Sequence, residues 1–305
     1  MFRDEHLWED SASAVISNST LLIHGNVNQD RDAFFPSQFE RHSSALRLQL
    51  KFRTPDRFEA TLQRPGQATP YTGFILSDLI TLLKTLPLSF VSMDITSLQH
   101  GAIMYVTSLL CQLPAGHLVS LYVEPASYTP SSDPEGYELT TRFEGFSSVP
   151  GFARLAGTTP NLLLAFLGFE GRRIAQLLEE YQDVDQLIPI LGVPGMRPGW
   201  NLVSLANCGP TLASQGAFND IERCPAWSVF EGFKVLRRAM FLELGARKRN
   251  IVVAPLGTRP HTQATALFAT QFPTVRVAYD HPIEHTERSR GVGRAHVYHL
   301  SGLLP

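Results

Sequence analysis

Three cysteines in 305 residues, Cys111, Cys208 and Cys224, are too few and too far apart for a disulfide framework or a CxxC zinc site. Long apolar runs are missing too. None reaches the ~18 residues that a membrane-spanning helix needs, so no membrane partner is expected. The opening MFRDEHLWEDSAS carries charge where a secretory leader carries an apolar core, and the expected location is the cytoplasm. Asn18-Ser19-Thr20 spells a glycosylation sequon, which without an export signal reads as chance. Charge of one sign is scarce: 26 basic and 28 acidic residues leave a net charge of -2, which argues against bulk nucleic-acid binding by charge. No GxSxG, Walker or GxGxxG fingerprint occurs, and no cofactor is expected.

What remains is an ordinary globular composition, 44% apolar and 18% charged, long enough for one large domain or two smaller ones. Leu46, Leu48, Leu50 and Phe52 alternate with Arg47, Gln49 and Lys51, the period of a strand with one buried face. Leu21–His24, Phe58–Leu62, Phe90–Ile95 and Leu118–Glu124 read as further strands, and 74–86 and 101–113 as helices. The stretch 128–151, rich in Ser, Pro, Gly and Thr, is the linker candidate, with Tyr137, Leu139 and Phe143 able to form an edge strand. Beyond it come strands at 162–167, 187–193, 251–254 and 274–280, a helix to about Gln182, a long one near 227–244 and one from His261. Strands alternating with helices predict an α/β protein with two Rossmann-like lobes and mostly parallel sheets, divided as 1–150 and 151–305.

Ligands of such sheets sit beyond the carboxyl ends of the strands. Four polar turns should fall there: 94–100, Gly168–Arg173, Gly192–Trp200 and Gly257–Pro260. A helix N-terminus offers unpaired N–H groups and partial positive charge, glycine lets the backbone approach a ligand, and arginine forks onto phosphate or carboxylate. Gly168, Gly171 and Arg172 combine these properties, as do Gly257, Thr258 and Arg259. Thr96 and Ser97 follow Asp94 at a strand end, where small hydroxyls bond phosphate or cap a helix. Glu124 ends the next strand, facing either the same crevice or solvent. The segment from Asp280 to Leu300 gathers His281, His285, Arg288, Arg290 and Arg294 around two glycines, either a basic loop closing over an anion or a solvated connection to a final strand at His296–Leu300.

The stretch VSMDITSLQHGAIMYVTSLL, Val91 to Leu110, resembles the strand–turn–helix core of the CRISPR-associated Rossmann-like (CARF/SAVED-type) sensor family. Asp94, Thr96, Ser97, Gln99 and His100 occupy the matching turn, with Ser97-Leu98 where the family carries Gly-Gly and His100 where it carries a basic residue. The resemblance covers about twenty of 305 residues. It implies binding of cyclic oligonucleotides or related nucleotides, a dimer, and a role in prokaryotic defence.

Two patterns mislead. His281-Pro282-Ile283-Glu284-His285 spells HxxEH, but Pro282 opposes the helix that a zinc site needs, and no metal is expected. Arg276 and His281 fit a nuclease spacing that belongs on a helix, whereas Val275–Tyr279 alternates as a strand. Three readings follow. The first is a protein that binds a nucleotide or other phosphorylated small molecule, a sensor acting with a protein partner or as a homodimer. The second is an enzyme on a phosphorylated or nucleoside substrate, with Asp94, Glu170, Asp280 or His281 as acid–base candidates. The third is a scaffold subunit that binds no ligand.

Overall fold

In the computed structural model, side-chain alternation and turn chemistry resolve into two α/β units. The structure describes residues 5–54, 56–64, 67–130, 136–137, 139–142, 145–149, 151–152, 162–243, 250–284 and 288–301. The first unit comprises residues 1–128 and 289–305, and the second residues 129–288. The elements run in chain order as β1 (Glu5–Leu7), α1 (Trp8–Asn18), β2 (Leu21–His24), α2 (Phe34–His42), β3 (Leu46–Thr54), β4 (Arg57–Arg64), β5 (Gln67–Phe74), α3 (Ile75–Lys84), β6 (Phe90–Asp94), α4 (His100–Cys111) and β7 (His117–Tyr128). In the second unit follow β8 (Thr140–Arg142), β9 (Ser147–Ser148), β10 (Leu162–Phe166), α5 (Gly171–Glu180), β11 (Gln186–Gly192), α6 (Trp200–Ser214), β12 (Glu222–Cys224), α7 (Val229–Glu243), β13 (Ile251–Pro255), α8 (Arg259–Gln271), β14 (Arg276–Tyr279) and β15 (Ile283–Glu284), before β16 (Ser289–His299) returns to the first.

The first unit is built on an eight-stranded sheet ordered β1-β16-β7-β6-β2-β3-β4-β5. Its centre is parallel: β2 pairs with β3 and β6, and β6 with β7. The flanks are antiparallel. Leu22 of β2 and Val119, Leu121 and Val123 of β7 pack with Trp8, Val15, Phe35 and Phe39 from α1 and α2, which fixes one face of the sheet as core. Leu48, Leu50, Phe58 and Ala60 keep the expected alternation through the β3–β4 hairpin.

The second unit carries a six-stranded sheet ordered β12-β11-β10-β13-β14-β9, parallel except for β9. β10 is buried along its whole length, as a central parallel strand covered on both faces must be. Leu163, Ala165 and Leu167 join Ile174 and Leu177 of α5 and Cys208 and Leu212 of α6 in one core. Phe166 points the other way, against Gly232 of α7 and His261 of α8. Helices α5 and α6 pack together, as do α7 and α8. The chain therefore winds in opposite senses from β10 and from β13, and the neighbouring pair β10–β13 is the topological switch point.

Two expectations differ from what is seen. The boundary falls after Tyr128, and the last seventeen residues belong to the first unit, because Ser289 of β16 pairs with Tyr128 and the ladder runs on to His299 opposite Val119. The second unit is thus an insertion between two paired strands. Arg290 and Arg294 stand on β16, which begins at Ser289 and not at His296; a register shift between Val292 and Ala295 interrupts the alternation that would have announced it. The 128–151 stretch supplies short strands: β9 extends the six-stranded sheet, and β8 pairs with β15. Phe143, His285, and the side chains of 283–287 lie outside what is described. No helix among the described residues is long and apolar enough to cross a membrane.

Candidate functional site

The opening of α8 shows how local chemistry builds the rim of the second unit. Gly257 leaves β13 in a space that admits no side chain: a Cβ there would lie 2.8 Å from His261 Nδ1 and 3.2 Å from the Leu167 carbonyl. Thr258 caps the helix, its Oγ1 accepting from His261 N at 3.4 Å and donating to the Ala226 carbonyl at 2.6 Å. Pro260 sits in the first turn, where a backbone N–H has no helical acceptor. Arg259 is buried there. His261 stacks on Phe166 at 4.5 Å between centroids, and its Nε2 faces the Pro225 carbonyl at 3.2 Å. Burial pulls its pKa down to about 4, so the ring is neutral near pH 7.

The turn after β10 meets this one. A Cβ on Gly168 would fall 2.4 Å from the Leu256 carbonyl, so the two turns cross in backbone contact. Helix α6 orients the turn from the other side: Ser204 Oγ donates to the Gly168 carbonyl and Asn207 Nδ2 to the Phe169 carbonyl, each at 2.6 Å. Phe169 lies within reach of two other rings, Tyr137 at 5.2 Å and Trp200 at 5.7 Å between centroids. All three rings are partly exposed. Trp200 opens α6, whose N-cap Gly199 takes φ 85°, a left-handed conformation that suits glycine.

Charge at this rim is paired. Glu170 is buried, and its Oε1 accepts from Thr140 N, Thr140 Oγ1, Leu139 N and Arg172 Nη2 at 2.7 to 3.2 Å. Arg172 also donates from Nη2 to the Thr140 carbonyl at 2.9 Å, and its side chain is 38% exposed. These bonds orient the guanidinium while leaving it in contact with solvent. Asp280, just past β14, spends both carboxylate oxygens on Arg173 Nε and Nη2 at 2.6 Å. His281 follows with φ 44°, an uncommon conformation for a residue with a Cβ. The described part of its HxxEH segment, up to Glu284, is not helical, since Ile283–Glu284 forms β15, and among the described residues no cluster fit to hold a metal ion occurs.

The structure thus brings Gly168, Glu170, Gly171, Arg172, Gly257, Thr258, Arg259 and Asp280 to one edge of one sheet. It leaves Asp94, Thr96, Ser97 and Arg290 in the other unit. There Asp94 is fully buried, accepting from Thr96 N at 2.9 Å and Ser97 Oγ at 2.7 Å. Ser97 Oγ takes Gly25 N at 2.8 Å, and Thr96 Oγ1 takes Val123 N at 2.9 Å. Burial pushes the Asp94 carboxyl up to about 6. These bonds tie the turn after β6 to Gly25, which follows β2, and to Val123 of β7. Glu124 is buried and accepts from His296 Nε2 at 2.9 Å. Arg290 is exposed on β16. Phe169 and Trp200 lie in two of the polar turns predicted for this edge and Tyr137 in the edge-strand candidate; the residues that sequence patterns did not single out are the helix donors Ser204 and Asn207. No local motif marks them, because α6 reaches this rim only through tertiary folding.

A comparison of the chain with protein-family models finds no match, and neither does a comparison with curated proteins.

Proposed function

We propose that the second unit binds a nucleotide or another phosphorylated small molecule with a flat ring, at the carboxyl edge between the turns that follow β10 and β13. One observation carries this reading: the switch point of a doubly wound sheet coincides with two glycine turns, a partly exposed arginine and a cluster of three aromatic rings. Arg172 and the start of α5 provide for the anion, and Phe169 and Trp200 for a stacked base. The protein is read as a sensor or binding subunit rather than a catalyst, because Glu170 and Asp280 are committed to arginines. The Val91–Leu110 resemblance favours cyclic oligonucleotides among the ligands to try, with a second copy or a partner protein receiving the signal in a defence system.

The test is thermal stabilisation of the full chain against a nucleotide panel that includes cyclic oligonucleotides. A ligand at ~100 times its Kd adds about 2.7 kcal/mol. Arg172→Ala abolishes the gain, and product formation is assayed separately. Failure of every ligand to raise the melting temperature leaves the scaffold reading in its place.

A further inference from the structure

Arg173 and Arg31 are both buried, and the fold treats them differently. Arg173 has the two carboxylate oxygens of Asp280 at 2.6 Å. Arg31, in the short 3-10 turn before α2, is 2% exposed. Its one side-chain hydrogen bond among the described residues runs from Nη1 to the Val123 carbonyl at 3.3 Å, and its Nε has no partner. A guanidinium does not shed its proton, so a buried one without a counter-charge is costly. Among the described residues no carboxylate forms an ion pair with Arg31; its neighbour in the chain, Asp32, accepts Asn28 N, and Glu124, next to Val123, accepts His296.

The ladder gives its position. On the side of β7 that faces β6, the Leu121 carbonyl accepts Ile95 N. Two residues on, where β6 has ended, Val123 N donates to Thr96 Oγ1 and the Val123 carbonyl accepts Arg31. The guanidinium therefore stands where the next residue of β6 would be, at the carboxyl edge of the parallel strands. His24, at the end of β2 on the same connecting segment, is a second buried side chain with an unpartnered nitrogen, Nε2.

We infer that Arg31 anchors a small-oxyanion subsite in the first unit, taking phosphate or carboxylate, free or as the end group of a larger molecule. This subsite belongs to the first unit, and the inference does not rest on the ligand reading of the second. The test measures melting of the full chain in inorganic phosphate, methyl phosphate, succinate and, at matched ionic strength, chloride. Phosphate against succinate separates the two chemistries, and methyl phosphate against inorganic phosphate separates an end group from a free ion. At least one oxyanion raises the melting temperature saturably while chloride does not. Arg31→Met loses the response, yet without anion it melts no lower than the parent, because a buried charge has been removed. Arg31→Lys, which keeps charge without the planar fork, moves the midpoint upward by about tenfold. Arg172→Ala leaves the response intact. The inference is overturned if no oxyanion acts, if chloride acts equally, if either Arg31 variant keeps the parent midpoint, if anion-free Arg31→Met melts below the parent, or if the response disappears with Arg172 instead.

Discussion

Acidification should weaken the second unit more than the first. His261 is neutral and buried, with its pKa drawn from 6.5 down to about 4. Its native state binds fewer protons than the unfolded chain, so the stability it contributes is full above pH 6.5 and is lost as pH falls toward 4. Moving from pH 7.5 to 4.5 costs the second unit about 2 to 3 kcal/mol through this residue alone. The first unit contains a like-behaved group and an opposing one. His24 is drawn down to about 4 by burial and loses stability over the same range. Asp94 is pushed up to about 6, so its native state binds the proton more tightly and the first unit gains about 2 kcal/mol on the same descent. The two nearly cancel in the first unit, while nothing so placed offsets His261 among the shifted groups of the second. The tryptophans separate the units: Trp8 lies in the first, and Trp200 and Trp227 in the second. Urea unfolding followed by fluorescence in Trp8→Phe reports the second unit, and in Trp200→Phe/Trp227→Phe the first. The second unit should lose about 2 kcal/mol more than the first, and His261→Gln should flatten its acid slope. Equal losses in both units, or an unchanged slope in His261→Gln, would refute the reasoning.

Other consequences follow from contacts already described. Asp94→Asn stabilises the first unit at pH 7.5 by up to about 3 kcal/mol, and the gain shrinks toward pH 4.5, as urea titration at both values measures. Gly168→Ala destabilises the second unit by about 1 to 3 kcal/mol, since the Leu256 carbonyl is backbone and has to shift. Asp280→Leu or Arg173→Met alone costs about 3 to 5 kcal/mol, whereas the pair Arg173→Met/Asp280→Leu recovers most of the loss; a double-mutant cycle by denaturant reads both. Trp200→Ala weakens nucleotide binding by about 1 to 3 kcal/mol with little change in melting, measured by calorimetric titration.

The parallel core was legible because its signal is local: apolar runs such as Ile251–Val253 and Leu162–Leu164 are bounded by glycine turns and followed by helical patterns. Helix α6 was not, because Gly209 and Pro210 sit inside it and its apolar face is weak. β16 was hidden by its register shift, and with it the fact that the chain returns to the first unit. At the candidate site, glycine turns announced the edge where Gly168 and Gly257 meet. Sequence could not show that Glu170 and Asp280 are held by arginines 2 and 107 residues away, nor that the Asp94 carboxylate accepts from both Thr96 and Ser97. Those outcomes depend on which partners the fold brings within 3 Å, a property of tertiary geometry with no local pattern.

The most direct test of the proposed site uses the indole that helps to line it. In Trp8→Phe/Trp227→Phe, Trp200 is the remaining tryptophan, so its fluorescence can be titrated with the nucleotide panel. A nucleotide that stacks at this rim changes that emission saturably, and Arg172→Ala removes the change. Emission that no nucleotide alters, or that responds identically in Arg172→Ala, contradicts a ligand site between the two glycine turns.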